Sequence, residues 1–448
     1  MRRAVGPLLA VTVALVLADS AVVTLALPDI LQNLDATVTE VAWVLIAFNL
    51  VLGLCAVPTA MGLTRVQPRI FSAIGIAAFA GASAWCALAD SIEVLILARC
   101  VQALGGALAL VGCLELLVEA YGERRGVAVW VTAGVIGTAT GPVAGGLLTE
   151  AISWQAIFVV QVPFAVLAVP AALVVRAAPE TAPDRHRPAI RPNLTLALLS
   201  AALTAALFLL VLLIVEGWQR SPATAALTVS VVPLAALAAR PLARALRPSH
   251  EIEVAVGCFL IAGGLVGLAI PPSAHLAWTI APQALVGLGL GLTVDRLTSQ
   301  AMELRLPRVR HAGWTISARH VGVVVGLAIL TPVFTADLRD AEVPAQEAIT
   351  ALVLDAPLKP EDKIAVAEAL GRELMAQRGQ VPDLSRAFAT LELEPEERAA
   401  AAQLERDLDL QLESAATWAF RDSFLIGAGL ALLALVTVVA PPRRRRTP

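Results

Sequence analysis

Two ionisable residues sit where the surrounding sequence is apolar. Asp19 lies inside LLAVTVALVLADSAVVTLALP, and Arg99 lies inside LILARCVQALGGAL. A charge in such surroundings is costly unless paired, and within a membrane it marks a functional site by default. At about 1.5 Å of rise per residue, Asp19 lies about 12 Å and Arg99 about 8 Å from the outer ends of their apolar runs. Their depths are similar, so the two can meet. Burial raises a carboxylate's pKa and a nearby guanidinium lowers it, so a small movement of such a pair can load or release a proton. Proton coupling is therefore assigned to Asp19 and Arg99; the competing reading is a static ion pair that fixes helix packing. Gln102, one helical turn beyond Arg99, is placed to orient the guanidinium or touch a substrate.

The remaining intramembrane charges divide by position. Arg319 lies about 12 Å into its run and can pair with Asp295 on the preceding one. Glu115 is about 160° around its helix from Arg99 and calls for a partner on another helix. Glu119 and Arg296 lie close enough to a run's end to reach the surface. His320 reads as a packed histidine rather than a proton carrier, and Glu216 with Trp218 reads as an interfacial belt. Thr24, Gln102 and Arg319 form the candidate substrate-cavity set. Aromatic residues make up only 4% of the chain, with a single tyrosine, so no stacking cage for a flat cation is indicated. The five cysteines lie in or beside apolar runs without metal-ligand spacing; neither a disulfide framework, a metal site nor a cofactor is expected.

The elements that must position these residues are membrane spans. Of 448 residues 58% are hydrophobic and 15% charged, and the mean hydropathy is +0.78, more than one soluble core requires. About twelve stretches have spanning length: roughly 7–27, 40–60, 70–88, 94–117, 127–148 and 155–176, then roughly 193–215, 222–243, 252–270, 276–298, 312–335 and 418–440. The first run is too long for a signal peptide and is read as a span. Arginines gather in alternate loops: Arg65 and Arg69, Arg124 and Arg125, Arg185 to Arg191, Arg240 to Arg247, Arg305 to Arg310, and Arg443 to Arg446. By the positive-inside rule both termini face the cytoplasm of a plasma-membrane protein. Residues 336–417 carry 18 acidic and 8 basic side chains and are expected outside, with helical stretches after Pro360 and Pro395 forming a lid or a plain cap.

Residues 177–192 read as a cytoplasmic linker between six-span bundles at 1–176 and 193–448. Pro58, Arg65 and Arg69 recur at the same offsets as Pro233, Arg240 and Arg244, which supports duplication. Paired bundles around a midplane site are the architecture of secondary transporters.

In GVIGTATGPVAGG, residues 134–146, Gly134, Gly137, Gly141 and Gly145 share a stripe roughly 80° wide, which admits a closely packed neighbour. Pro142 leaves the carbonyl of Thr138 without its helical donor, so a bend is expected between halves that rock. The set Gly137, Gly141, Pro142, Gly145 and Gly146 resembles the antiporter motif of the major facilitator superfamily. ADSAVVTLALP is similar to its drug:proton antiporter motif at Asp19, Val22, Val23, Ala26, Leu27 and Pro28. Arg99, Gln102, Gly105, Gly106 and Ala107 resemble its fourth-span pattern, and Gly313, Arg319, Gly322, Gly326 and Ala328 its eleventh. The loop after the second span departs from the family: Arg65 and Arg69 of the cytoplasmic gate survive, but Thr64 replaces the usual Asp. The resemblance implies an all-α major facilitator fold of about twelve spans, and the departure an inner gate closed by other means or held more weakly.

No P-loop lysine, Gly-x-Ser-x-Gly elbow or His-Glu-x-x-His motif occurs, which argues against an ATP-driven pump or an intramembrane hydrolase. The expected function is proton-coupled efflux of a small amphiphilic compound by a monomer in the lipid bilayer, without nucleic acid. An importer on the same fold and a transport-deficient sensor or partner protein are the alternatives.

Overall fold

A computed structural model describes residues 2–180, 186–246, 249–303, 305–376, 384, 388 and 397–439. Arg185, Arg247 and Arg443 to Arg446, used above for orientation, lie outside the described residues. Among the described residues there is no strand, and twelve helices are long and apolar enough to cross a membrane. That solution follows from the solvent: without water, backbone N–H and C=O groups must be satisfied within each spanning segment.

The first half contains α1 (Arg2–Asn33), α2 (Val38–Leu63), α3 (Pro68–Ala87), α4 (Ile92–Tyr121) and α5 (Glu123–Ala151), followed by α6 (Ala156–Val174). The second contains α7 (Ile190–Gly217), α8 (Pro222–Ala245), α9 (His250–Ala269), α10 (Ala277–Met302) and α11 (Arg308–Asp355). Two further helices, α12 (Pro360–Ala376) and α13 (Arg398–Ala419), precede the last span, α14 (Arg421–Val439). Local signals set several boundaries. Thr37 and Glu40 form a reciprocal capping box at the start of α2, and Ser91, Ser221 and Ser249 cap α4, α8 and α9.

Two boundaries differ from the sequence reading. Helix α1 continues through Pro28 to Asn33, because a proline within a packed membrane helix loses one backbone bond without ending the segment. Helix α11 continues past residue 335 to Asp355, carrying the span into the polar segment. There α11, α12 and α13 bury Val353, Val366, Leu404 and Leu408 in a small core of their own. The Trp218 indole, expected at a membrane interface, is 1% exposed and donates to Thr417 of α13, while Arg220 pairs with Glu413. The cap is thus docked on the end of α7.

The same helix pairings occur in both halves. Helix α1 packs on α5 as α7 packs on α11, α2 on α4 as α8 on α10, and α3 on α4 as α9 on α10. The sixth span of each half completes the pattern, α6 lying on α3 and α1 as α14 lies on α9 and α7. Small residues make these contacts close. The backbone of Ala14 lies against Gly137, and that of Ala197 lies against Gly322.

Gly134, Gly137, Gly141 and Gly145 face Leu17, Ala14, Ala18 and Val22 of α1. The stripe therefore binds helices within one half instead of lining the interface between halves; of the motif's glycines, Gly146 meets the other half, at Pro222 and Ala226 of α8. The sequence revealed the smooth face but not which neighbour it meets. Helix α5 is continuous through Pro142. A Cβ at Gly145 would run into the Val22 carbonyl, whereas one at Gly81 of α3 would meet nothing within 4 Å. In thermal unfolding of the purified protein, Gly145→Ala is expected to cost about 1–3 kcal/mol through overpacking. Gly81→Ala should instead be neutral or stabilising, by up to about 1 kcal/mol of helix propensity. Equal effects of the two changes would contradict the packing assignment.

Candidate functional site

Asp19 and Arg99 are each 0% exposed and form a direct ion pair between α1 and α4. Depth in the sequence placed them at similar levels; helix packing supplies the rest of the cage. One carboxylate oxygen of Asp19 takes the Arg99 guanidinium. The other accepts from the Gln102 amide at 3.2 Å and from the Gln161 amide of α6 at 2.9 Å. Gln102 in turn accepts from Arg99 at 2.7 Å and donates to Ser83 of α3 at 2.9 Å, so it orients the pair and is itself fully buried. Three donors, from α4 and α6, thus converge on one buried carboxylate.

Arg99 also faces α2. Its Nε donates to the Val44 carbonyl at 3.4 Å, and its guanidinium carbon lies 4.1 Å from the Phe48 ring centroid. Its Nη2 is buried without a hydrogen-bond partner. The guanidinium therefore has one strong anchor on α1 and two weaker ones on α2. Sequence reasoning missed Gln161, Ser83 and Phe48. Gln161 was detectable as an isolated amide in the apolar run FVVQVPF, whereas Ser83 and Phe48 give no signal apart from their place in the fold.

A polar chain leads from this cluster to the second half. Ser20, adjacent to Asp19, lies 3.4 Å from the Asn49 side-chain oxygen, which also bonds His320 Nδ1 of α11 at 2.7 Å. Asn49 further donates to the Leu45 carbonyl. His320, read above as a packed residue, is thus a packed residue with a specific partner across the halves.

A cavity of about 60 Å³ lies between the halves, lined by Val135, Thr138 and Pro142 of α5 and by residues of α7, α8, α10 and α11. Of the three candidate cavity residues only Arg319 is on its wall. Gln102 belongs to the Asp19 cluster, and Thr24 is 7% exposed with its hydroxyl donated to the Ser20 carbonyl, a bond that ties the side chain to its own helix. Asp295 also lines the cavity but pairs with Arg240 of α8 rather than with Arg319. Arg296 reaches the surface, its side chain 43% exposed, and bonds Glu253 of α9 at 2.7 Å. Among the described residues no group of histidine, cysteine and carboxylate side chains could hold a metal.

The halves also meet at both ends of the spans. On the side away from the termini, Glu150 of α5 accepts from the Ala223 N–H at 2.7 Å, an anion on the N-terminal turn of α8. On the termini side, Arg308 at the start of α11 lies 3.7 Å from Glu115, 3.3 Å from Glu123 and 3.7 Å from Glu180. The Val309 N–H adds a bond to Glu180. Glu115 thereby finds the partner on another helix that its angular position required. Arg65 is exposed, and Arg69 donates to Gln67 two residues away. With Thr64 in place of an acid, the loop arginines hold no carboxylate among the described residues, whereas Arg308 gathers three.

This arrangement has a measurable consequence. In a cysteine-free background, a cysteine at the buried Ala312 should react slowly with a soluble maleimide; adding Arg308→Ala should speed it about tenfold, equivalent to about 1.4 kcal/mol. Arg65→Ala should leave the rate unchanged. The reverse pattern would return gate closure to the loop.

Comparison with known proteins agrees with this architecture. The sequence profile of the Major Facilitator Superfamily matches residues 9–330. The chain is 34% identical over 169 residues to the tetracenomycin C resistance and export protein of Streptomyces glaucescens, covering 37% of this chain and 31% of that protein. It is 35% identical over 161 residues to the multidrug efflux pump LfrA of Mycolicibacterium smegmatis, covering 35% and 32%. With the methylenomycin A resistance protein of Streptomyces coelicolor it shares 30% identity over 226 residues, covering 50% and 46%. These matches span about a third to a half of the relatives' own length. Among solved structures, a bacterial homologue of the human lysosomal transporter Spinster, inward-facing and occupied, shares the fold with a TM-score of 0.62 and 16% identity, over 98% of this chain and 96% of that one. The matched profile, the twelve spans and the shared fold together establish that the chain belongs to the Major Facilitator Superfamily.

Proposed function

We propose that the chain is a proton-coupled exporter of small amphiphilic compounds, working by alternating access in the plasma membrane with both termini in the cytoplasm. The observation that carries this reading is the fully buried Asp19, held by donors from α4 and α6 while its partner Arg99 also touches α2. The named relatives in drug resistance and export support the outward direction.

The coupling follows from electrostatics. With Asp19 ionised, Arg99 is drawn towards α1. Protonation of Asp19 removes that attraction, and Arg99 shifts its weight to the Val44 carbonyl and the Phe48 ring on α2. Helix α2 packs on α11 of the other half, and Asn49 on it holds His320. A proton on α1 thus alters the helix through which the halves engage. Arg308 and its three carboxylates close the cytoplasmic side in one state and must part in the other, while the Glu150 contact does the same on the outer side. The two glutamines keep the carboxylate oriented during the exchange, so the ion pair need not reform from random rotamers.

The reading is tested in proteoliposomes carrying an imposed pH gradient, with a compound identified by comparing the sensitivity of a deletion strain and its parent. Asp19→Asn should abolish gradient-driven efflux while leaving the protein folded, since the amide matches the carboxylate in size. Arg99→Ala should do the same with a larger loss of stability, because it leaves a buried carboxylate without its counter-charge. An Asp19→Asn variant that still exchanges protons for substrate at the normal ratio would refute the assignment.

A further inference from the structure

The cavity between the halves carries an unbalanced charge. Its wall contains three ionic groups, Arg240, Asp295 and Arg319. Arg240 and Asp295 neutralise each other in a direct pair. Arg319 makes no hydrogen bond among the described residues, and Asp295 is the opposite charge whose field reaches it. Two guanidiniums against one carboxylate leave one positive charge over. The other nearby titratable groups do not cancel it: His320 is turned to Asn49, and Asp19 is committed to Arg99. The rest of the lining is largely apolar, with Pro142, Leu207, Val232 and Leu290 among it.

We propose that this cavity receives amphiphilic anions, molecules with an apolar body and one carboxylate-type charge, with Arg319 as the residue that meets the charge. A cation entering here would face two guanidiniums and a carboxylate already paired; a neutral molecule would leave Arg319 without a counter-charge in a low-dielectric site. A singly charged anion leaves the cavity neutral. The guanidinium also offers its planar fork to both oxygens of a carboxylate. At about 60 Å³ the cavity holds the charged head, and the halves must part to take the body.

This substrate class rests on the export reading, but its test requires no transport. The purified full-length protein in phosphatidylcholine nanodiscs is titrated with three fluorescent probes of one shape: pyrenebutyrate, its primary amide and its trimethylammonium counterpart. The carboxylate should bind about tenfold more tightly than the amide, and the cation most weakly. Arg319→Gln should reduce carboxylate binding to the level of the amide while leaving amide binding unchanged. Arg319→Lys should keep the preference, which shows that any loss in the glutamine variant is not misfolding. Doping the discs with phosphatidylglycerol should leave probe affinity unchanged; displacement would mean that the anion is a lipid headgroup and would overturn the substrate assignment. Equal binding of amide and carboxylate, tighter binding of the cation, a preference that survives Arg319→Gln, or no binding of any probe would likewise overturn it. A protein that prefers the carboxylate yet exchanges no protons would fail only the functional reading above.

Discussion

A carboxylate and a guanidinium buried together in a membrane protein constrain everything around them. Removing both ions from water costs several kcal/mol each even after relaxation, which their mutual attraction recovers only with good geometry and further hydrogen bonds. Asp19 and Arg99 obtain those bonds from Gln102, Gln161, Val44 and, through Gln102, Ser83. The donors come from α4 and α6, the carbonyl from α2 and the supporting hydroxyl from α3. Five of the six helices of the first half therefore meet at one charge pair, including the carboxylate's own α1. The sixth, α5, contributes by letting α1 lie against its glycine stripe. Packing and polar satisfaction are thus two views of one requirement, because the bonds form only if the helices approach closely enough.

Close approach is also what lets the two halves act as units. In lipid no hydrophobic force drives helix association, so contact area between small residues carries much of the burden. The stripe on α5, with Gly322 and Gly326 of α11, places that contact inside each half, on α1 and α7, whereas Gly146 of α5 and Gly313 of α11 meet the opposite half, at α8 and α2. Between the halves α2 packs on α11 and α5 on α8, and polar links join that packing: His320 with Asn49, Glu150 with the start of α8, and Arg308 with three carboxylates. The hydrogen bonds and ion pairs at the ends of the spans can exchange partners at lower cost than interlocked backbones, which suits halves that move against each other.

Much of this was legible in the sequence, for physical reasons that also explain what was not. Spans follow from length and hydropathy because lipid demands them, and their number and approximate limits were readable. Asp19 and Arg99 were conspicuous because their runs are otherwise almost entirely apolar. The stripe on α5 was visible from 100° periodicity, but its partner was not, since a smooth face fits any helix that comes close. The same limit applies to Asp295: a one-dimensional reading could list Arg319 as a partner but not exclude Arg240, which α8 delivers to the same level. Trp218 looked interfacial because tryptophans usually are; only the docked cap, assembled from a separate polar segment, accounts for its burial. Thr24 was polar and well placed along α1, yet its hydroxyl is spent on its own helix. The replacement of the usual loop acid by Thr64 pointed to an inner gate closed differently or held more weakly; the cluster around Arg308 draws on α4, α5, α11 and residue 180, which no local motif joins.

The central claim is that Asp19 changes protonation state within its cage. Infrared difference spectroscopy on the purified protein, comparing acidic with alkaline conditions, reports the carbonyl stretch of a protonated carboxylic acid directly. The account predicts a band in the protonated-carboxyl region that is present in the wild-type protein and missing in Asp19→Asn, and that shifts when Gln161→Leu removes one of the donors. A difference spectrum in that region unchanged by Asp19→Asn would mean that Asp19 remains ionised throughout, and that the pair is a fixed structural element.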